Sequence, residues 1–271
     1  MEDVVHYEVA GGVATITLDR PEHFNTMSRQ LMEQAQAALE SAADDDAVRA
    51  VILTGTGRAF CAGGDLQDFA RREPDGSGGA GGAARSLEAD IRRLRGSMRT
   101  SQLLREMPKV TFAAINGACA GAGLAWACAA DIRYCAASAV FNTAFMTAGL
   151  SGDFGGTWSL SRIVSPAKAR ELYLLAEKFD SAEAERIGLV SAILPADELM
   201  DFVRAKAERV AGFAPLTAKA IKQNLNDALE VGWAEALDRE ADRHTRCGRT
   251  EDAREAAAAF LEKRAPVFHG R

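Results

Sequence analysis

Val110-Thr-Phe-Ala-Ala-Ile-Asn-Gly-Ala-Cys-Ala-Gly-Ala-Gly-Leu-Ala-Trp-Ala-Cys-Ala-Ala130 is an uncharged stretch that lies between Lys109 and Asp131. Its apolar first part predicts a buried strand, and the part from Gly123 onward predicts the start of a buried helix. Glycine in the turn between them permits positive φ and lets another group approach main-chain N–H groups closely. A helix N-terminus adds unsatisfied N–H donors and a partial positive charge. The stretch therefore predicts a site for an oxygen that bears negative charge.

Three other interpretations compete for this stretch. It is long enough to span a bilayer, but its many small residues, with Asn116 and Thr111, make it only weakly hydrophobic. A dinucleotide-binding turn would need the spacing G-x-G-x-x-G, which the stretch lacks. A tight turn inside a packed core, with no ligand at all, stays open on this stretch alone.

The composition bounds the class of protein. A chain of 271 residues is enough for one large domain, or for a main domain and a smaller one. The net charge of −6, with Lys and Arg spread along the chain, argues against a nucleic-acid partner. Glu2 and Asp3 follow Met1 directly, so we expect no signal peptide. The five cysteines form no C-x-x-C pair, which favours reduced thiols and a cytoplasmic location.

Histidine occurs only at positions 6, 23, 244 and 269. This excludes a histidine base from the middle of the chain, and it leaves no metal-ligand cluster at a known spacing. We therefore expect no metal site.

The chain order predicts an α/β core followed by helices. The predicted strands are Val4–Val9, Val13–Leu18, Val48–Thr54, Val110–Ile115, Ile132–Ala136 and Leu189–Leu194. A helix with period 3.6 is predicted from Leu87, Ile91, Leu94 and Met98. Irregular backbone is expected over residues 140–153. Helix caps are predicted at Ser28, Ser165 and Ser181. After Pro195 only helices are predicted, so we divide the chain into a core at 1–195 and a helical region at 196–271. The Pro-, Gly- and Ala-rich segment Glu73–Ala84 is either a flap over a site or a surface loop.

Two segments with dense glycine, Arg58-Ala-Phe-Cys-Ala-Gly-Gly-Asp-Leu66 and Ile115-Asn-Gly-Ala-Cys-Ala-Gly-Ala-Gly-Leu124, resemble the two signature segments of the crotonase superfamily, the enoyl-CoA hydratase/isomerase family. Residues 148–157 and 182–190 match the same family in the same order. The resemblance implies a crotonase-like spiral of ββα units with an all-helical C-terminal oligomerisation region. It also implies a homotrimer, or a hexamer built as a dimer of trimers.

The same resemblance implies a site. Its substrate is an acyl-CoA thioester, so coenzyme A enters as part of the substrate and no other cofactor is expected. No membrane partner is expected either. The N–H groups of Gly64 and Ala122 would form an oxyanion hole for the thioester oxygen. CoA contacts would come from His23 and Phe24 and from the segment Ala62, Gly63, Gly64, Asp65 and Leu66. Phe260 and Lys263 of the last helix would contribute from the same or a neighbouring subunit.

The chain departs from the hydratases of this family where they carry two glutamates, because those positions are Ala125 and Phe145 here. Adding water across a double bond ordinarily uses two carboxylates. The carboxylate that remains is Asp153, at a position similar to the acid/base aspartate of dienoyl-CoA and ring-epoxide isomerases. A pocket lined by Phe145 and Trp158 would raise its pKa. A helix N-cap is the alternative role for Asp153, and bracing of the oxyanion turn is the role favoured for Asp65.

These residues predict an enzyme of the hydratase/isomerase type that moves a proton with one aspartate, with isomerisation favoured over hydration. The aspartate also aligns with the nucleophile of aryl-CoA dehalogenases, but those enzymes need a histidine that is absent near Met98. Two alternatives remain: a non-catalytic acyl-CoA binder and an acyl-CoA thioester hydrolase.

Overall fold

The main sheet has six strands, and it carries the central uncharged stretch in its middle. The computed structural model of the protein describes residues 3–65 and 86–271. The sheet order is β1-β2-β3-β5-β7-β10; β1 and β2 form an antiparallel hairpin, and all other neighbours are parallel. Its strands are β1 (Val5–Ala10), β2 (Val13–Leu18), β3 (Ala50–Gly55), β5 (Val110–Ile115), β7 (Ile132–Ala136) and β10 (Ile193–Leu194).

A second sheet of four short strands, in the order β4-β6-β8-β9, holds the glycine turns. Its strands are β4 (Ala59–Cys61), β6 (Ala118–Ala120), β8 (Val140–Asn142) and β9 (Phe179–Asp180). The sequence analysis predicted none of these strands, and its expectation of irregular backbone from residue 140 was wrong for β8. Each strand is too short to show an alternating pattern, so only the tertiary pairing defines it.

Helices cover both faces of the main sheet, because each has one apolar stripe to bury. Helix α1 (Arg29–Asp44) begins at the predicted cap Ser28, whose side chain accepts a hydrogen bond from the N–H of Leu31. It buries Leu31, Ala35 and Leu39 against the core. The remaining helices of the first part are α2 (Leu87–Ser97), α3 (Arg99–Glu106), α4 (Ala122–Ala129), α5 (Gly156–Ile163), α6 (Pro166–Leu175) and α7 (Ser181–Arg186).

Two of these helices add detail to the sequence analysis. The helix predicted from Leu87, Ile91, Leu94 and Met98 is present as α2, and the first three of these side chains are exposed. The cap of α7 is Asp180, whose carboxylate accepts from the N–H of Glu183. Ser181 is instead the first helical residue, and its hydroxyl donates to the carbonyl of Ala137. The predicted segment Glu73–Ala84 lies outside the described residues.

Helices alone follow the last strand, as predicted: α8 (Leu199–Ala211), α9 (Pro215–Asp227), α10 (Trp233–Cys247) and α11 (Glu251–Glu262). Helix α8 packs on the main sheet, where its Val203 and Ala207 join a cluster with Ile52 and Phe112. The division at residue 195 stays a prediction.

One buried ion pair fastens α9 to the core. The side chain of Lys222 is 5% exposed, and its ammonium group lies 2.8 Å from a carboxylate oxygen of Asp131, which follows α4. It also donates to the carbonyls of Leu104 and Lys109. All of its partners surround the start of β5, so α9 is held at the end of the sheet opposite to the glycine turns.

The stretch 110–130 thus forms strand, strand and helix inside the fold, and the bilayer-spanning interpretation was wrong. Across residues 3–65 and 86–271, no helix combines the length and the apolar character that crossing a membrane requires.

Candidate functional site

The two glycine turns lie against each other, main chain to main chain. The strands that precede them, β4 and β6, are parallel neighbours that pair Cys61 with Cys119. A Cβ atom at Gly63, which has φ of +94°, would lie 2.9 Å from the carbonyl oxygen of Ala120 and 3.4 Å from the nitrogen of Ala122. A Cβ atom at Gly123 would overlap the carbonyl of Cys61. Only glycine permits this approach, which explains its presence on both sides.

Gly64 and Ala122 lie beside this contact, because Gly64 follows Gly63 and Ala122 precedes Gly123. Ala122 is 3% exposed and is the first residue of α4, a helix buried along its whole length. Gly64 is exposed, with open space around its Cα. Among the described residues, neither amide N–H donates a hydrogen bond. Unused donors from two adjoining turns, one of them at a helix N-terminus, can hold an oxygen that gains negative charge.

The loop that contains His23 and Phe24 is fastened to the first glycine turn. The carbonyl of Phe24 accepts from the N–H of Ala62, at 3.0 Å, and the carbonyl of Gly63 accepts from the N–H of Met27, at 2.8 Å. His23 and Phe24 remain exposed. The described residues of these two segments are therefore held next to each other, with His23, Phe24 and Gly64 exposed.

Arg58 belongs to this surface, although the sequence analysis did not single it out. Its guanidinium lies 4.5 Å from the centre of the Phe24 ring. This contact places an exposed positive charge beside the loop. The sequence feature that could have identified Arg58 is its position at the start of a glycine-rich turn.

Asp65 lies between two groups of the same loop. One of its carboxylate oxygens is 3.5 Å from the guanidinium of Arg20 and 3.5 Å from the hydroxyl of Thr26. These contacts connect the turn to the loop and are consistent with the bracing role. Leu66 lies outside the described residues.

Asp153 lies on a turn before α5, and its carboxyl group does not cap that helix. The N-cap is Gly155, and no side-chain hydrogen bond is made there. Oxygen Oδ1 of Asp153 is buried and has no hydrogen-bond partner among the described residues. Burial raises the pKa of this carboxyl to about 6, because removal from water disfavours the charged form. A carboxyl group with a pKa near neutrality can both accept and return a proton.

Aromatic rings surround the turn that carries Asp153. Phe145 is 7% exposed and stacks on Tyr173 of α6, with 6.2 Å between ring centres and 7° between planes. A Cβ atom at Gly152 would lie 3.8 Å from the Tyr173 ring and 3.9 Å from the Phe145 ring. These rings supply the apolar surroundings expected of Phe145. Tyr173 was missed, because it is distant in sequence and resembles an ordinary helix residue.

The same turn packs on α4, one helical turn beyond Ala122. A Cβ atom at Gly156 would lie 3.0 Å from the methyl group of Ala125 and 2.6 Å from the hydroxyl of Tyr173. Ala125 is itself 1% exposed. The Asp153 turn is thus held beside the helix whose first N–H is a candidate oxyanion donor.

Trp158 has a different environment from the one expected. Its ring lies 4.2 Å from the guanidinium of Arg105 and 3.9 Å from that of Arg162. Gly156 faces Ala125, and a residue two positions later on a helix points to roughly the opposite side. The aromatic side chains that lie near Gly152 and Gly156 of the Asp153 turn are instead Phe145 and Tyr173.

Phe260 and Lys263 lie at the end of α11. Phe260 is 83% exposed, and Lys263 ends the helix with φ of +55°. Their predicted contribution to CoA binding, from this or a neighbouring subunit, stays a prediction.

Comparison with known proteins gives a consistent result. The family model described as enoyl-CoA hydratase/isomerase matches residues 8–271. A protein of Rhodobacter capsulatus named probable enoyl-CoA hydratase is 38% identical over 98% of each chain. The 1,2-epoxyphenylacetyl-CoA isomerase of Escherichia coli is 35% identical over 100% of each chain. The crystal structure of an enoyl-CoA hydratase from Bacillus anthracis, 29% identical, covers 99% of this chain and 100% of its own, with a TM-score of 0.89.

Proposed function

The chain belongs to the enoyl-CoA hydratase/isomerase family of the crotonase superfamily, and from this premise we propose that it is an acyl-CoA isomerase in which Asp153 alone transfers the proton. The observation that carries the proposal is the carboxyl group of Asp153, which has a buried oxygen without a partner and a pKa of about 6. It stands on a turn whose Gly156 packs against Ala125 of α4, one helical turn after Ala122.

The first step of the proposed reaction uses the main chain. The N–H groups of Gly64 and Ala122 donate to the thioester oxygen of the acyl-CoA. This interaction strengthens as the oxygen becomes an enolate, so it lowers the barrier to removing a proton from Cα; loss of one such donor typically costs about 10²–10³ in rate. The CoA moiety contacts His23, Phe24, Ala62, Gly63, Asp65 and Leu66. Phe260 and Lys263, from the same or a neighbouring subunit, also contribute, and the charge of Lys263 suits a CoA phosphate.

The second step uses Asp153. As a carboxylate it removes a proton from Cα of a 3-enoyl thioester, and the electron pair forms the dienolate. As a carboxylic acid it returns the proton to Cγ, which places the double bond between Cα and Cβ. The reaction is balanced, because the proton that leaves one carbon is delivered to another and no water enters.

Hydration is disfavoured by the side chains at two positions. Ala125 and Phe145 stand where hydratases of the family carry their glutamates, and neither can activate water. The relative named an isomerase is 35% identical and the one named a probable hydratase is 38% identical. These names alone do not decide between isomerisation and hydration.

We also propose that the enzyme works in the cytoplasm as a homotrimer or a dimer of trimers, with no cofactor except the coenzyme A of its substrate. The oligomer is supported by large apolar side chains that the last three helices leave exposed in the single chain. These are Leu216, Ile221, Leu225, Trp233, Leu237, Phe260 and Leu261. Their burial against another subunit would remove apolar area from water.

The test compares wild type, Asp153→Asn and Asp46→Asn on 3-enoyl-CoA and 2-enoyl-CoA. Asp46 is an exposed aspartate before β3, so its variant makes the same chemical change away from the site. We expect wild type and Asp46→Asn to convert 3-enoyl-CoA to 2-enoyl-CoA, and Asp153→Asn to be slower by about 10²–10⁴. With 3-enoyl-CoA deuterated at Cα, the wild type should transfer deuterium to Cγ in H₂O, because one carboxyl group removes and returns the same hydrogen.

Other outcomes would replace this function with one of its alternatives. Equal turnover by Asp153→Asn and wild type would remove Asp153 from the mechanism. A product heavier by one water would indicate hydration. Release of free CoA to a thiol-reactive dye would indicate a hydrolase, and binding of both thioesters without any product would indicate a non-catalytic binder.

A further inference from the structure

Tyr173 presents a hydrogen-bond donor that the described residues leave unused. Its ring is fixed by stacking on Phe145 and by the backbone at Gly152. Its hydroxyl makes no hydrogen bond with any residue of the described part of the chain. The side chain is only half-buried, so the donor is accessible to a ligand.

The position of this hydroxyl relative to the proposed thioester site follows from α4. The hydroxyl and the methyl group of Ala125 both lie against Gly156, at 2.6 Å and 3.0 Å from the place where a Cβ atom would be. Ala125 lies three residues after Ala122, which is roughly 4.5 Å along the helix axis and on the same side. Two or three carbon–carbon bonds of about 1.5 Å each extend over a similar distance. The separation along α4 between Ala122 and the part of the wall that contains the hydroxyl is therefore similar to the separation between a thioester carbonyl and Cβ or Cγ of its acyl group.

The phenol also keeps its proton. Burial raises the pKa of Tyr173, and the nearby Cys128 and Asp153 raise it further. At neutral pH the group is consequently a donor, and it does not act as a base. It makes no hydrogen bond to Asp153, whose Oδ1 is itself without a partner, so the donor is not committed to positioning the aspartate.

We propose that Tyr173 determines substrate specificity by donating a hydrogen bond to an oxygen on the acyl group at or next to Cβ. The preferred substrates are then acyl-CoA thioesters with an oxygen substituent near the reacting carbons, rather than plain hydrocarbon thioesters. This inference rests on the proposed function, because it takes Gly64 and Ala122 as the groups that hold the thioester. Phe145 and Ala125 complete an otherwise apolar wall, against which a single donor discriminates strongly.

Binding measurements test this without turnover. Isothermal titration calorimetry compares Asp153→Asn with the double variant Asp153→Asn/Tyr173→Phe, using butyryl-CoA and 3-hydroxybutyryl-CoA as probes. Phenylalanine keeps the ring that stacks on Phe145 and removes only the hydroxyl. We expect the single variant to bind 3-hydroxybutyryl-CoA about fivefold more tightly than the double variant does, an effect typical of one neutral hydrogen bond. The affinity for butyryl-CoA should differ by less than twofold.

Three results would overturn the inference. An unchanged preference for 3-hydroxybutyryl-CoA in the double variant would show that the hydroxyl does not contact the substituent. An equal loss of affinity for both probes would show a structural role. A shifted pH profile for Tyr173→Phe alone, at equal specificity, would show a positioning role toward Asp153.

Failure of the proposed function has a separate signature. If neither variant binds butyryl-CoA, the thioester site itself is absent, and both proposals fall. Binding of butyryl-CoA by both variants, together with loss of isomerase activity in Asp153→Asn, upholds the proposed function whatever the result for Tyr173.

Discussion

Replacing Asp153 with asparagine should make the protein more stable and inactive at the same time. The carboxyl group has a pKa of about 6 in the folded protein because of burial, against an ordinary value of 3.8. The folded state therefore holds the proton more tightly than the unfolded state does. The stability that this provides is fully present below pH 4 and is lost as the pH rises through about 6. Above pH 7 the folded protein bears the full cost of a buried charge.

The size of this cost follows from the difference in pKa. The pKa rises from 3.8 to about 6, and each tenfold change in proton affinity corresponds to about 1.4 kcal/mol. The buried charge therefore costs at most about 3 kcal/mol of folding free energy. Because part of the side chain contacts solvent, screening reduces this to roughly 1–2 kcal/mol. Asparagine has the same shape and carries no charge. Its side-chain oxygen would lack a hydrogen-bond partner, but Oδ1 of Asp153 already lacks one in the wild type. We expect Asp153→Asn to gain roughly 1–2 kcal/mol at pH 8 and about half as much at pH 5.

Urea unfolding at fixed protein concentration measures this gain, with Asp46→Asn as the control for removing one negative charge. The activity of the wild type gives a second readout. Its kcat/KM should be half-maximal near pH 6 and should fall about tenfold for each pH unit below, because the carboxylate is the form that removes the proton. A stability difference at pH 8 that is no larger than the control's, or a kcat/KM that is flat from pH 5 to 8, would refute the reasoning.

Three further substitutions test the frame of the site and its assembly. Gly123→Ala should lower the free energy of unfolding by about 3 kcal/mol or more, because its Cβ would overlap the carbonyl of Cys61; a thermal melt within 2 °C of wild type would contradict this. Lys222→Met leaves the half-buried Asp131 without its ion-pair partner and should cost about 3 kcal/mol in urea unfolding, the lower end for breaking a buried pair, so a cost below 1 kcal/mol would show that the pair does not fasten α9. Leu225→Glu places a charge on the exposed apolar surface of α9 and should reduce the mass measured by light scattering to that of a monomer, whereas an unchanged mass would exclude Leu225 from the interface.

The sequence predicted those parts of the fold that have long, regular patterns. Strand β5 and helix α4 followed from one uncharged stretch, and α1 followed from a serine cap and an apolar face. The second sheet was not predictable in this way. Strands such as β6 and β8 have three residues each, and Cys119 and Phe141 are their only fully buried members.

The candidate site divides in the same manner. The glycine turns and Asp153 belong to continuous motifs, so the sequence located them. Tyr173 is brought to the Asp153 turn only by the packing of α6, and nothing in its own neighbourhood marks it. The environment of Trp158 was expected from its nearness in sequence to Asp153, but the helix turns its ring toward two arginines.

The meeting of Ala125, Gly156 and the Tyr173 hydroxyl couples three positions that lie far apart in the sequence. The methyl group and the phenol both reach the glycine, at 3.0 Å and 2.6 Å from the place where a Cβ atom would stand. A longer side chain at 125 that extends toward Gly156 would compete with the phenol for this space. Residue 125 therefore cannot be enlarged in that direction independently of residue 173, and the two positions are expected to tolerate substitution only as a pair.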